Sequence, residues 1–315
     1  MNTTLPALGA MILFWALTPI TIAYVKNDFS LIFQVWARYT ISSLALWTVV
    51  LSRRDLRLVL KDQARQLVRM LIPVLLMALA TLSFQLNYTY CFFLIDPGFG
   101  ILLYQSQVIF SIILGGLFFT AERKLLKSRK TLGAIVLALA GAAVVILFQN
   151  QGVSFTFNRG ILFALAAALS WSFVGVVNRG MVKDRLPPLI TISLVFTAVA
   201  LILIPAVLLD TDSVIADPGL TKWIVLLGSG ILGNAGGQGL YYYLLPRVGL
   251  ITAASVQLLV PFLTGLFSYL FFREQITLLQ GAGGLVLLAG CRMIIKEKAK
   301  QMKTAPPEGL DQALS

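Results

Sequence analysis

The chain has 315 residues, 58% hydrophobic and 12% charged, against roughly a quarter charged in an ordinary soluble domain, so a water-soluble fold is excluded. A net charge of +12 would in a soluble chain point to nucleic acid, but here the basic residues gather in short segments between apolar runs, as they do in membrane proteins. Histidine is absent, and Cys91 and Cys291 sit in separate apolar runs, which removes the commonest general base and argues against a disulfide, a metal site or a cofactor.

In chain order, the apolar runs cover residues 5–25, 31–51 (interrupted by Arg38), 70–95, 97–121, 131–158, 160–178, 186–209, 223–246, 248–272 and 276–295 (with Arg292 near its end). About 20 apolar residues at ~1.5 Å rise each cross the ~30 Å hydrocarbon core. The predicted fold is therefore an all-α integral membrane protein of ten transmembrane helices. With the N-terminus in the cytoplasm, every Lys and Arg except Lys26, Arg38, Arg159, Lys222 and Arg273 falls on the inside. This predicts a multi-pass protein of the cytoplasmic (inner) membrane with both termini cytoplasmic. Residues 1–4 carry no basic side chain and no small-residue cleavage site follows, so the first run reads as an uncleaved helix.

Five runs precede the polar segment 149–159 and five follow it, so a second copy of the first half would insert upside down. The charges agree. Arg53, Arg54, Arg57, Lys61, Arg65 and Arg69 follow the second run, whereas Asp210, Asp212 and Asp217 follow the seventh. Arg123, Lys124, Lys127, Arg129 and Lys130 follow the fourth, whereas only Arg273 beside Glu274 follows the ninth. The expectation is two inverted five-helix repeats, residues 5–149 and 159–295, with 296–315 as a cytoplasmic tail. At an offset of 153, Gln85, Tyr88 and Tyr90 match Gln238, Tyr241 and Tyr243.

The last hairpin carries Pro261-Phe262, Glu274, Gln280-Gly281 and Gly290, echoed in the first half by Glu122, Gly133 and Gly141, with Arg38-Tyr39 in the second run. This pattern resembles the drug/metabolite transporter superfamily, in its ten-helix branch built from two EamA-type domains, over the chain up to Lys298. The resemblance implies alternating access and the movement of amino acids, other metabolites or drugs, usually outward. Two features depart from the family pattern: Val108 stands where the second half has Pro261, and Tyr104, Gln105 and Gln107 form a polar cluster in an otherwise apolar run.

Polar and aromatic groups inside the runs are the candidate substrate-binding residues: Trp15, Arg38, Gln85, Tyr88, Tyr104, Gln105, Gln107, Trp171, Asn234, Gln238, Tyr241 and Gln257. Amides and phenols at mid-membrane can hydrogen-bond a solute while rings pack its apolar part. Arg38, whose burial at a helix centre costs about 2.5 to 3.5 kcal/mol, reads equally as a counter-ion for an anionic group or as a side chain snorkelling to the headgroups. Tyr90 and Tyr243 read as interfacial. Gly233, Gly236, Gly237 and Gly239 crowd the eighth run, either to unwind it or to let helices approach. Pro261 is a candidate hinge. Glu122 and Glu274, beside Arg123 and Arg273 at hairpin turns, read as capping or pairing carboxylates rather than proton shuttles.

The predicted function is a secondary transporter, exporter or facilitator, of small organic metabolites. A passive channel is the alternative; an enzyme is disfavoured because the runs hold no histidine and no central carboxylate. The expected partners are a small-molecule substrate and the lipid bilayer, not nucleic acid. The sequence leaves homo-oligomerisation, the substrate and the direction of flux open.

Overall fold

The computed structural model describes residues 4–62, 68–120, 123, 126–148, 158–182, 185–215 and 217–304. Among them the only β-feature is an isolated antiparallel bridge between Phe29 and Val214; everything else is helix and turn. Among the described residues seven helical stretches are long and apolar enough to cross a membrane, one of them Pro97–Phe118 taken across a turn, and Val260–Phe272 is a shorter apolar helix. The molecule is an all-helical, multi-pass membrane protein.

Helix α1 (Thr4–Val25) ends at the polar Lys26–Asp28 turn, and α2 (Leu31–Ser52) opens with Ser30 accepting the Phe33 amide at 3.1 Å. A short amphipathic helix, α3 (Arg54–Asp62), precedes α4 (Leu71–Leu94). Next come α5 (Pro97–Tyr104) and α6 (Gln107–Phe118), then α7 (Arg129–Leu147). Asn158 accepts the Gly160 amide at 2.9 Å and starts α8 (Arg159–Val177), which widens into a π-turn over Asn178–Val182. Then follow α9 (Pro188–Leu209), α10 (Gly219–Ser229), a π-helical stretch (Gly230–Gly236), α11 (Gly237–Gln257), α12 (Val260–Phe272) and α13 (Leu278–Thr304).

Three run limits differ from the sequence reading. The run 97–121 is not one helix: the Gln105 and Ser106 amides bond three residues back, to the Leu102 and Leu103 carbonyls at 3.1 and 3.0 Å, and this tight turn separates α5 from α6. The boundary expected at Pro246-Arg247 is absent, because α11 runs through it. Pro246 has no N–H for the helical ladder, and the residue after it, Arg247, folds back so that its guanidinium donates to the Tyr243 carbonyl at 2.6 Å and lies 3.7 Å over the Tyr243 ring. The chain instead breaks at Leu258–Leu259, just before Pro261, where proline fits the first turn of α12 without losing a bond. Finally, α13 continues to Thr304, so the first part of the expected tail is helical.

The closest helix pairing is α7 with α13; α4 packs on α8, α2 on α9, and α1 on α11. Small residues set the α7–α13 distance. A Cβ on Gly290 would sit 2.6 Å from the Ala138 amide nitrogen, and one on Gly141 would run into the Leu287 backbone. At one end of the bundle the α1–α2 and α9–α10 connections are clipped together. Lys222 pairs with Asp28 at 2.8 Å and Ser30 donates to the Asp210 carboxylate, while the Ser30 and Ile215 amides bond the Ser213 and Asp28 carbonyls.

Candidate functional site: a central uncharged cavity

The two helix breaks, at Gln105–Ser106 and Leu258–Leu259, flank a cavity of about 70 Å³. From the breaks come Tyr104, Gln105, Gln107, Gln257 and Val260. Helix α4 presents Phe84, Gln85 and Tyr88, one face at helical spacing, and α1 and α8 supply Trp15 and Trp171. The π-helical stretch and the start of α11 add Gly233, Asn234 and Gln238, and Thr18, Tyr39, Ile101 and Phe196 complete the wall. Among the described residues no charged side chain lines the space.

Aromatic contacts hold this wall. Phe84 meets Trp171 at 4.9 Å and Tyr88 at 5.2 Å between centroids, and Tyr88 meets Tyr104 edge-on at 5.1 Å. Gln85 accepts from the Tyr39 hydroxyl at 3.4 Å and donates to Thr89 at 3.0 Å, which fixes its amide. Glycines of the π-helical stretch and the start of α11 admit α1. A Cβ at Gly237 would lie 2.5 Å from Trp15 Nε1, and one at Gly233 would lie 2.6 Å from Thr18 Oγ1. Ser172 donates to the Gln107 carbonyl at 2.9 Å and so ties α8 to the first break. Two buried polar atoms on the wall have no hydrogen-bond partner among the described residues: Gln105 Oε1 and Asn234 Nδ2.

A second, much smaller space of about 20 Å³ adjoins the first and shares Tyr39, Trp171, Phe196 and Gln238 with it. Its other walls are Met77, Thr81, Val174, Ile192, Val195 and Tyr242, so it is mainly apolar.

Ten of the residues named from the sequence thus meet at one cavity; Arg38 and Tyr241 do not line it. Arg38 is fully buried, so it neither snorkels nor faces this space. Its Nε donates to Ser229 Oγ at 2.8 Å and its Nη2 to Gln34 Oε1 at 3.0 Å, which binds α2 to the end of α10. Tyr241 lies one step behind the wall, its ring 5.6 Å from that of Trp15. Asn87 is turned outward and donates to the Ser83 carbonyl at 2.7 Å. Thr18, Ile101, Phe196 and Val260 were missed because a single Thr or apolar residue in an apolar run carries no signal. Tyr39 and Phe84, adjacent to Arg38 and Gln85, could have been found from helical spacing.

Glu274 is not at the cavity. Its two carboxylate oxygens accept the Gly98 and Phe99 amides at 2.8 and 2.9 Å, capping α5, and Ser268 also donates to it. Burial raises its pKa above the ordinary value and nearby Asp96 adds to this, while Ser268 and the two amides oppose the rise. Pro261 is buried in the first turn of α12. Glu122 lies outside the described residues.

The protein is thus all-helical and membrane-spanning, with an amide-rich cavity that no charged side chain among the described residues lines. Residues 158–296, somewhat under half of the chain, match the EamA-like transporter family. A Haemophilus influenzae protein named "Uncharacterized transporter" is 26% identical over 61% of this chain, an alignment that spans 63% of that protein. Proteins of Salmonella typhimurium and Escherichia coli, each named "Probable amino-acid metabolite efflux pump", are 28% identical over 67% of this chain and 72% of their own length. One solved crystal structure, 18% identical, shares the fold with a TM-score of 0.63 over 96% of this chain and 99% of the other.

Proposed function

We propose that this chain is a secondary transporter, exporter or facilitator, of small organic metabolites such as amino acids or drugs, working by alternating access between inverted repeats at residues 5–149 and 159–295. The observation that carries the reading is the uncharged cavity at the meeting point of two broken helices. The breaks at Gln105–Ser106 and Leu258–Leu259 stand 153 residues apart, the same offset that relates Gln85 to Gln238. The helix pairings support the repeat as well: exchanging the halves carries α4 on α8 into α11 on α1, and α6 on α8 into α12 on α1. Broken helices that meet at mid-membrane are a recurrent way to expose backbone groups to a solute.

The membrane is read as the cytoplasmic one, with both termini inside, on the distribution of Lys and Arg. No Asp or Glu stands in an apolar run, so transport is expected to follow the substrate's own gradient, by uniport or exchange, without obligatory proton coupling. The test is flux in liposomes with equal substrate on both sides and an imposed pH gradient. No net accumulation is expected; accumulation that Glu274→Gln or Glu122→Gln abolishes would overturn the uncoupled mechanism.

A further inference from the structure

The Glu274 carboxylate crosses from the second half of the chain to the first. Arg273, the one non-glycine residue with a positive φ among the described residues (57°), turns the chain at the end of α12. Glu274 then accepts from Ser268 of α12 and from the Gly98 and Phe99 amides at the start of α5, the latter two at 2.8 and 2.9 Å. The approach needs glycine at 98: a Cβ there would lie 2.8 and 3.0 Å from the two carboxylate oxygens, and its three nearest atoms all belong to that carboxyl group. From this contact α5 and α12 both run to the cavity, where Ile101 and Tyr104 of α5 and Val260 of α12 stand on its wall, and each meets a helix break there.

We propose that Glu274 is the latch of a door on the side of the cavity that the charges put outside. With its carboxylate on the Gly98 and Phe99 amides, α5 and α12 are held together and the door is shut. On its release the two half-helices part, pivoting at Gln105–Ser106 and Leu258–Leu259. The inference rests on the transport reading and deepens it by naming the elements that move. The bonding suits a contact that opens and closes. A carboxylate and the amides of a helix N-terminus attract one another, yet water entering an opened door can satisfy both, so release exchanges hydrogen bonds and strands no buried group. The Asp28–Lys222 clip, with backbone bonds running both ways beside it, is a poorer candidate for repeated opening.

The test is access to one cysteine on the cavity wall, Val260→Cys, in the full chain with the buried Cys91 and Cys291 changed to Ala. Right-side-out and inside-out membrane vesicles are treated with a membrane-impermeant cationic methanethiosulfonate. Glu274→Gln and Gly98→Ala should each speed labelling from the outside about tenfold, as charge-assisted hydrogen bonds that favour the shut form are lost, and neither should speed it from the inside. Gly98→Ala should add nothing in a Glu274→Ala protein, because the carboxylate it displaces is gone. Unchanged outside labelling in variants that keep a single folded peak on size-exclusion chromatography would overturn the latch, and so would a Gly98→Ala effect that persists without the carboxylate. If labelling does not respond while the wild type exchanges solute across liposomes, the latch alone has failed. If labelling responds and no solute is exchanged, the door opens but the transport reading has failed.

Discussion

Arg38 illustrates how a buried charge can serve the frame instead of the ligand. Its neighbours Gln34 and Ser229 are themselves buried or nearly so, and Gln34 in turn donates to the Val25 and Phe29 carbonyls, so the guanidinium closes a chain that reaches the α1–α2 turn. Arg38→Met would leave the Gln34 carbonyl and the Ser229 hydroxyl without this partner. A loss of about 1 to 3 kcal/mol is expected, seen as a lower melting temperature in detergent, with the affinity of the remaining folded protein for substrate little changed. A large affinity loss at unchanged melting temperature would instead put Arg38 at the substrate. Gln238→Leu should behave the other way, because Gln238 lines both spaces: KM rises several-fold and the melting temperature holds.

Glu274 gives a pH dependence at the same scale. A carboxyl whose pKa is raised in the folded protein still holds its proton where the unfolded chain has lost it. Its contribution to stability is therefore complete below 4.5, the ordinary value, and is lost as pH rises through the folded value. The melting temperature of the wild type should fall, relative to that of Glu274→Gln, as pH is raised from 4.5 to neutrality. Parallel curves for the two proteins would show that this carboxyl does not titrate in that range.

At the scale of elements, glycines of the same appearance in sequence part company. Gly141 and Gly290 face backbone on the partner helix, whereas a Cβ on Gly133 or Gly281 would meet nothing within 4 Å. Gly141→Leu should abolish the folded peak on size-exclusion chromatography by forcing α7 off α13, and Gly133→Leu should leave it intact. The sequence could place all four in helices but not say which faces a neighbour, since that depends on helix rotation. Helix breaks were equally hard to read. The one at Gln105–Ser106 is made by three-back hydrogen bonds with neither proline nor glycine at the turn. The other was hidden because Pro261 suggested a hinge within a span rather than the start of α12, and Pro246-Arg247 suggested a loop where the helix continues. By contrast, the seven stretches long and apolar enough to cross a membrane were legible because runs of about 20 uncharged residues have few alternatives. The cavity was legible because amides and phenols in such runs need partners.

For the whole molecule, the proposed orientation rests on the distribution of Lys and Arg. Reporters fused after Lys61, Lys127 and Lys300 should report cytoplasm, and those at Gln151 and Asp212 the outside; an outside signal at Lys127 would break the inverted arrangement. In that orientation the clip of Asp28 with Lys222, the Phe29–Val214 bridge and the Glu274 cap all fall on the outer side, where they join the two halves. The central claim is that the cavity between the halves carries a solute across the bilayer. It is tested most directly by counterflow: liposomes holding the purified protein are loaded with one unlabelled solute from a panel of amino acids, nucleosides and sugars, and diluted into a trace of the same solute labelled. The account predicts transient accumulation of label above equilibrium for at least one solute, weakened by Gln238→Leu. Absence of counterflow across the panel, or unitary currents in a planar bilayer, would contradict it.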